Sequence, residues 1–158
     1  MSERIAINTS PLIALGKMQA FSVIEQLPYE FCCPPQVETE LLNGAALGYP
    51  VTRPSWVTVL PLQAPLTPFA SIALDDGEAA VIQLALEQQF NCVCIDETKG
   101  RRAAASLGLT VIGSLGLLGK AKTSGLVSAI RPFIAQAQQS GLHYDTKLIA
   151  TFLQALGE

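Results

Sequence analysis

Short apolar runs alternate along the chain with longer segments in which apolar residues recur at helical spacing. Three runs, Ile5–Ile7, Cys92–Ile95 and Thr110–Ile112, are almost wholly apolar, which is typical of strands buried on both faces of a parallel sheet. Two further strands are predicted at Glu30–Cys33 and Trp56–Leu60. Helices are predicted over residues 11–18, 21–27, 36–43, 79–89, 97–107 and from 113 onward. This alternation predicts an α/β fold with a central, mainly parallel sheet covered by helices on both faces.

Glycines and one capping motif indicate where several helices begin and end. Asp75 and Glu78 have the spacing of a capping box, in which an acid caps the helix and a glutamate follows three residues later. Gly44 and Gly108 are each predicted to end a helix. The capping box precedes the long apolar helix predicted over residues 79–89.

Two segments depart from this alternation. Leu47–Pro68 contains five prolines around one predicted strand, and it is predicted to be the loosest part of the chain, in the manner of a flap. Leu126–Glu158 predicts two amphipathic helices broken at Gly141. The last helix has a broad apolar face, suited to packing inside the protein or across a dimer, formed by Leu148, Ile149, Phe152, Leu153 and Leu156.

Length and composition predict a single domain over residues 1–158. Hydrophobic residues make up 49% of the 158 residues and charged residues only 15%, which is enough to fill a sizeable core. Apolar stretches end well before the roughly 18 residues of a membrane span, and the amino terminus lacks the pattern of a signal peptide. We therefore expect no membrane association and a cytoplasmic location.

The cysteines and the net charge argue against some classes of site and ligand. Cys32-Cys33 and Cys92-x-Cys94 lie in apolar runs without a CxxC spacing, so buried thiols are favoured over zinc ligands or disulfides. The net charge of −3 argues against broad electrostatic binding of duplex nucleic acid. Two local basic groups, Lys99 with Arg101 and Arg102, and Lys120 with Lys122, would either contact phosphates or lie on solvated helix faces.

Polar residues stand where two of the buried strands end. Asn8 follows the first strand and Asp96 follows the strand at Cys92–Ile95. Parallel strands bring their carboxyl ends to one edge of the sheet, where open α/β proteins place their sites. The simpler interpretation of the first of these ends is that Thr9 or Ser10 caps a helix carrying proline in its first turn.

Three motifs in order along the chain carry a resemblance to a known family. NTSPLIAL, LDDGEAAVIQLALE and CVCIDETKGRRAAASLGLTVIGSLGLLGKAK together resemble a PIN-domain protein, of a branch classified mainly as a domain of unknown function. The resemblance implies a three-layer α/β/α sandwich and a nuclease that depends on Mg²⁺ or Mn²⁺ and acts on RNA. It also implies a toxin of the toxin and antitoxin type, with an antitoxin protein and a second copy of the chain as expected partners.

The resemblance assigns four positions to the acidic site of the family. They are Asn8 at the first strand end, Glu40 in the second helical segment, Glu78 at a later helix start, and Asp96 at the fourth strand end. Glu38 flanks the same apolar stripe as Glu40, so helical periodicity does not choose between them. Rival or accessory acids are Asp75, Asp76 and Glu97.

Asn8 is where the sequence departs from the family pattern, since the family has an aspartate there. A carboxamide oxygen can contact a metal ion but brings no negative charge, so cation affinity should fall. The sequence therefore leaves open a weakened nuclease, or an inactive protein of the same fold that binds RNA or a protein partner. A third hypothesis, with Asp96 as the acceptor of a phosphorylation switch, lacks the acidic pair that it needs beside Asn8.

The remaining polar candidates are weaker. In the PIN interpretation, candidate phosphate contacts at the functional edge are Thr9, Ser10, Lys99, Arg101, Arg102 and Ser114. The simpler role for Ser114 is an ordinary helix cap, because Gly113–Gly119 has neither the GxGxxG nor the P-loop spacing. His143, the single histidine, has Asp145 nearby but no evident nucleophile, so a surface or helix-start position is favoured.

Overall fold

Five parallel strands form the sheet of the computed structural model, which describes residues 2–48, 51–67 and 73–158. The strands lie in the order β3-β2-β1-β4-β5, and every neighbouring pair is parallel. Their bounds are β1 Glu3–Ile7, β2 Tyr29–Cys33, β3 Val57–Val59, β4 Cys92–Cys94 and β5 Thr110–Ile112. The predicted strands are thus all present, and the sheet is wholly parallel.

The central strand β1 and its neighbour β4 are buried where the chain leaves the sheet. Ile5 and Ile7 of β1, and Val93 and Cys94 of β4, are each at most 1% exposed. Ile7 pairs with Cys94, so the residues after them leave the sheet at the same edge. The expectation that the two polar strand ends share an edge is therefore confirmed.

Helices join the strands and continue after the last one. Their bounds are α1 Thr9–Lys17, α2 Phe21–Ile24, α3 Pro35–Ala46, α4 Asp76–Gln88, α5 Thr98–Ser106, α6 Ser114–Thr123, α7 Arg131–Gln139 and α8 Thr146–Ala155. A parallel sheet whose strands are connected through helices is the arrangement of the three-layer α/β/α PIN-like fold. The predicted fold class is confirmed.

Several helix boundaries differ from the prediction, for local reasons. Gly44 does not end α3, which continues to Ala46, since a helical glycine costs only about 1 kcal/mol relative to alanine. The chain instead turns at Gly48, whose φ is +93°. Thr9 does not cap α1, because the helix begins at Thr9 itself and its hydroxyl has no partner. Asp75 does cap α4, accepting from Glu78 N–H at 2.7 Å.

The chain divides into two compact units. The first comprises Met1–Ile13 and Pro28–Ser114 and holds the sheet with α3, α4 and α5. The second comprises Ala14–Leu27 and Leu115–Glu158 and holds α2, α7, α8 and most of α6. A single domain over the whole chain stays a prediction.

The second unit contains the two C-terminal helices expected from the sequence. Gly141, with φ +85°, lies between α7 and α8, so the predicted break is confirmed. Of the apolar face of α8, Leu153 is buried and Leu148 is 51% exposed. Asp145 caps α8 by accepting from Lys147 N–H at 2.7 Å.

Other expectations from the sequence meet the structure as follows. All four cysteines are buried thiols outside any disulfide bond, as predicted. Part of the proline-rich segment, residues 49–50 and Pro68, lies outside the described residues, while Gln63 and Ala64 donate their backbone N–H groups to Glu87 of α4. Within the described parts of the chain, no helix has the length and apolar character needed to cross a membrane.

Candidate functional site

The carboxyl end of β1 brings two polar side chains into the protein. Asn8 is 3% exposed and Thr9 is 7% exposed, and the backbone N–H of Asn8 donates to Cys94 O of β4 at 3.0 Å. That bond fixes the end of β1 beside the end of β4. Asn8 Oδ1 and Thr9 Oγ1 are buried and have no hydrogen-bond partner. Buried polar atoms are rarely left in this state, so both oxygens call for a functional explanation.

The second contribution comes from α3, which follows β2. Glu40 Oε1 is buried without a partner, whereas Glu38 accepts from Arg53 Nε at 3.0 Å. The structure thus distinguishes two glutamates that helical periodicity left equivalent. Glu38 is neutralised by a cation, and Glu40 is the one held near other acids.

The third contribution is the first turn of α4. Glu78 is 4% exposed, and its Oε2 has no hydrogen-bond partner. Its backbone N–H is occupied by the capping side chain of Asp75, while Asp75 and Asp76 themselves are exposed. In a full capping box, the Glu78 carboxyl group would accept a hydrogen bond from the backbone N–H of Asp75. Here that carboxyl group is buried, and its Oε2 accepts no such bond.

Burial and crowding of negative charge raise the pKa of both glutamates. Burial is the main cause for Glu78, and with the hydrogen bond and charge of Asp75 and the charges of Glu97 and Glu40 it raises the pKa to about 7. Burial also raises the pKa of Glu40, as does the charge of Asp75, while the nearby Thr9 hydroxyl opposes the rise without reaching hydrogen-bonding geometry. These acids lie in an environment that lacks a balancing cation.

Asp96 is placed differently from the two glutamates. Its two oxygens accept from Ser114, Oδ1 from the backbone N–H at 2.7 Å and Oδ2 from the hydroxyl at 2.8 Å. Burial raises the pKa of Asp96, but the two Ser114 bonds and the charge of Arg101 oppose the rise. Arg101 Nη1 also donates to Ile95 O at 2.8 Å. Asp96 is thus the best satisfied of the candidate acids.

The candidate phosphate contacts divide into engaged and exposed residues. Ser114 is fully buried and bonded to Asp96, and Arg101 is partly buried against the backbone. Lys99 and Arg102 are exposed on α5, and Ser10 is half-buried in the first turn of α1. Of these candidates, Lys99 and Arg102 are therefore the two charged residues that are exposed to solvent.

One residue near the acids escaped the sequence analysis. Gln36 lies one turn before Glu40 in α3, and its Oε1 is also buried without a partner. The i, i+4 spacing places both residues on one helix face, which is the feature that identifies Gln36 in retrospect. A cleft of about 520 Å³ opens here, lined by Pro35, Gln36, Thr39, Glu40, Asp75, Asp76 and Gly77.

The donor set can be compared with what a divalent cation requires. Asn8 Oδ1, Glu40 Oε1 and Glu78 Oε2 are hard oxygen donors without partners, which is the chemistry that Mg²⁺ and Mn²⁺ prefer. Over residues 2–48, 51–67 and 73–158, no three side chains among His, Cys, Asp and Glu are grouped closely enough to hold a metal ion. The residues fit a cation by donor type, with two carboxylates and a carboxamide in place of three carboxylates.

The other sequence candidates lie at the surface or are already engaged. His143 is exposed, and the neighbouring Asp145 caps α8, so the favoured surface position is confirmed. The phosphorylation hypothesis receives no support from Asp96, because both of its oxygens are held by Ser114.

Comparison with known proteins extends the resemblance seen in the motifs. The family DUF3368, described as a PIN domain, matches residues 4–158. No curated protein matches the chain. PIN domains form a superfamily of nuclease type, and they generally depend on divalent metal ions and act on nucleic acid. Since the match spans nearly the whole sequence, this chain belongs to the PIN-domain family.

Proposed function

We propose that this protein is a metal-dependent ribonuclease, weakened by Asn8, whose metal-holding residues are Glu40 and Glu78 with Asn8 and Asp96. One observation carries the proposal: Asn8, Glu40 and Glu78 each bury an oxygen that accepts no hydrogen bond within residues 2–48, 51–67 and 73–158. All three belong to the unit that contains the sheet. Because an unpaired buried carboxylate is unfavourable, the arrangement favours a ligand that brings positive charge.

The chain's own residues prepare this part of the structure for a charged substrate. Glu40 and Glu78 would hold the cation, Asn8 would add a neutral oxygen, and Asp96 would fix the Ser114 amide at the start of α6. When bound, Mg²⁺ or Mn²⁺ supplies positive charge for the phosphate and lowers the pKa of a coordinated water. Lys99 and Arg102, exposed on α5, would reduce repulsion between the acids and an RNA backbone.

The finer assignments come from the resemblance and from the composition. RNA as the substrate, the toxin role, an antitoxin partner, a homodimer and a cytoplasmic location stay predictions. The supporting evidence is family membership for nuclease chemistry and the orphaned oxygens for a cation. The proposal is therefore strongest for the class of reaction.

A second function is favoured by a specific observation. Asn8 removes one negative charge from the group of acids, and the described residues contain no group of three metal-binding side chains. A PIN fold without turnover, binding RNA or a protein partner, would retain the same structure. The two functions differ in whether RNA is cleaved.

The deciding experiment follows cleavage of end-labelled RNA in Mn²⁺ or Mg²⁺, with EDTA as the metal-free condition. We expect slow cleavage by the parent protein, and loss of cleavage on Glu78→Gln or Asp96→Asn. Glu25→Gln is the matched control, because Glu25 is exposed and is not among the groups that shift the pKa of Glu40, Glu78 or Asp96. Cleavage that survives Glu78→Gln would exclude the proposed site.

The same proteins separate the two candidate functions by calorimetry with Mn²⁺ at neutral pH. Binding by the parent, and not by Glu78→Gln, supports the metal-dependent nuclease. Binding only after Asn8→Asp supports the inactive binding protein, since the site then lacks the charge that it needs.

A further inference from the structure

Each of the three candidate acids, Glu40, Glu78 and Asp96, lies against a glycine. Gly77 of α4 faces Glu40, Gly100 of α5 faces Glu78, and Gly113, just before α6, faces Asp96. All six residues belong to the unit that contains the sheet. In the first two pairs, the glycine and the glutamate belong to different helices.

The contacts are closer than any side chain would permit. A Cβ on Gly77 would overlap Glu40 Oε1 and lie 2.9 Å from Glu40 Cδ. A Cβ on Gly100 would overlap Glu78 Oε2 and lie 3.2 Å from Glu78 Cδ. These are the same two oxygens that are buried without a hydrogen-bond partner. The space left by each missing side chain is therefore occupied by an unsatisfied carboxylate oxygen.

Backbone conformation does not explain these two glycines. Unlike Gly48, with its φ of +93°, neither Gly77 nor Gly100 has a left-handed φ, and both lie inside helices. Glycine is the least favourable residue in a helix after proline, so alanine would suit both positions better if space allowed. These two positions therefore require glycine because any side chain would collide with the Glu40 or Glu78 carboxylate.

We propose that Gly77 and Gly100 are positioning residues, which hold the carboxylates of Glu40 and Glu78 in their buried places for cation binding. The inference rests on the proposed function. Gly113 has the same relation to Asp96, with a smaller overlap: its Cβ would lie 2.9 Å from Asp96 Oδ1 and 3.0 Å from Arg101 Nη1.

An added methyl group would displace the carboxylate and leave the helix intact. The atoms in its way at Gly77 are the far end of a flexible glutamate side chain, which can rotate into solvent. Moving an unpaired carboxylate into water removes an unfavourable burial, and alanine favours the helix. Gly77→Ala should therefore weaken cation binding without lowering the melting temperature.

Gly100→Ala should act in the same direction with a smaller gain in stability. Its Cβ would also lie 3.0 Å from Ile95 Cγ2, a buried core atom that must give way slightly. Glu78 is nevertheless displaced by the closer contact. The loss of cation binding should then resemble that of Gly77→Ala.

Gly119 supplies a matched control in a different environment. It lies in α6, and its Cβ would lie 2.9 Å from Phe152 Cζ of α8, which belongs to a half-buried aromatic ring rather than to a carboxylate. Because the ring is rigid and also lies 3.4 Å away at Cε1, it must shift as a whole, and the contact between α6 and α8 loosens. Gly119→Ala should lower the melting temperature and leave cation binding unchanged.

The experiment measures Mn²⁺ affinity by calorimetry and the melting temperature without metal, for the parent and the variants Gly77→Ala, Gly100→Ala and Gly119→Ala. We expect at least about tenfold weaker Mn²⁺ binding for the first two variants, with melting temperatures equal to or above the parent's. Gly119→Ala should have a lower melting temperature than the parent and the same Mn²⁺ affinity. Parent-like Mn²⁺ affinity in Gly77→Ala would overturn the inference while leaving the proposed function intact.

A structural readout separates this inference from the proposed function. If the parent binds no Mn²⁺, the proposed metal dependence fails, and crystal structures of the parent and Gly77→Ala then decide the positioning role. A Glu40 carboxylate that leaves its buried place in Gly77→Ala supports the role. A carboxylate that stays there, with the helix shifted instead, overturns it.

Discussion

Two glutamates whose side chains are largely withdrawn from solvent have opposite surroundings. Glu158 of the second unit has a side chain only 8% exposed, and it accepts from Lys122 Nζ at 3.0 Å and from Ile130 N–H at 2.9 Å. Glu78 of the first unit is 4% exposed as a residue, and its Oε2 has no hydrogen-bond donor among the residues that the structure describes. One acid is fully provided with partners by the chain, and the other is not.

The pKa directions follow from those surroundings. Burial alone would raise the pKa of Glu158, but the bonds from Ile130, Lys122 and Arg131 outweigh it, so the pKa is lowered. Burial raises the pKa of Glu78 to about 7, and its acidic neighbours add to the rise. The Glu158 carboxylate stabilises the fold through hydrogen-bond donors of the chain. The Glu78 carboxylate has an oxygen without such a donor, and that oxygen is available to a ligand.

Mn²⁺ should reveal the difference most strongly. At a free concentration about 100 times its Kd, the ion should raise the free energy of unfolding of the parent by about 2.7 kcal/mol, because it binds only the folded site. Urea denaturation at neutral pH with and without Mn²⁺ measures the shift. The increase should vanish in Glu78→Gln.

The same titration on Glu158→Gln provides the control. Its increase on adding Mn²⁺ should match that of the parent, since Glu158 serves only its own unit. An equal response in all three proteins would mean that Mn²⁺ acts elsewhere on the surface.

Removing the charge of the well-partnered acid should cost stability and nothing else. Glu158→Gln weakens the ion pair with Lys122 and the bonds to the start of α7, with an expected loss of about 2 kcal/mol in the free energy of unfolding. The urea midpoint measures it. Mn²⁺ affinity and RNA cleavage should remain those of the parent, and a loss of either would remove the distinction between the two acids.

The sequence predicted the fold and the edge of the sheet at which Asn8 and Asp96 lie, because both depend on local pattern. Apolar runs identified the strands, and the rule for parallel sheets placed Asn8 and Asp96 together. The partners of each acid were not predictable, since they come from distant parts of the chain. Arg53 neutralises Glu38 rather than Glu40, and Lys122 is 36 residues from Glu158.

The roles of the glycines were also only partly predictable from the sequence. Gly44 and Gly108 were each predicted to end a helix, and only Gly108, with φ +85°, has the left-handed conformation of a helix end. The role of Gly77 was invisible in the sequence because it depends on Glu40 of another helix. Helix-breaking residues can thus be located from sequence, but the space that a glycine leaves cannot.

Replacing Asn8 by aspartate should strengthen Mn²⁺ binding and weaken the metal-free fold. Asn8→Asp places a carboxylate at the end of β1, in addition to those of Glu40 and Glu78, so Mn²⁺ affinity should rise by about tenfold, or about 1.4 kcal/mol, if all three bind the ion as proposed. Without metal, the added repulsion should lower the urea midpoint. Calorimetry and denaturation on the same sample measure the two effects, and Asn43→Asp on the exposed surface of α3 controls for charge alone. Unchanged affinity would mean that Asn8 does not contact the cation.

The smallest expected effect is on the pH dependence of stability without metal. The pKa of Glu78 is about 7 in the folded protein against an ordinary 4.5, so between these values the folded state binds more protons than the unfolded state. Stability must therefore fall as pH rises from about 4.5 to 7, and level off above. Glu158, whose pKa is lowered, contributes stability that is lost only as pH falls below the ordinary value.

The two acids thus act in separate pH ranges, which allows each to be tested in one protein. Glu78→Gln should reduce the decline between pH 4.5 and 7 and gain on the order of 1 kcal/mol at pH 8, where the parent carries the buried charge. Some decline should persist, because burial also raises the pKa of Glu40 and Asp96. Urea midpoints at closely spaced pH values in EDTA measure the slope. An unchanged slope in Glu78→Gln would show that this carboxyl is already satisfied in solution, and with it the reason for placing a cation there would be lost.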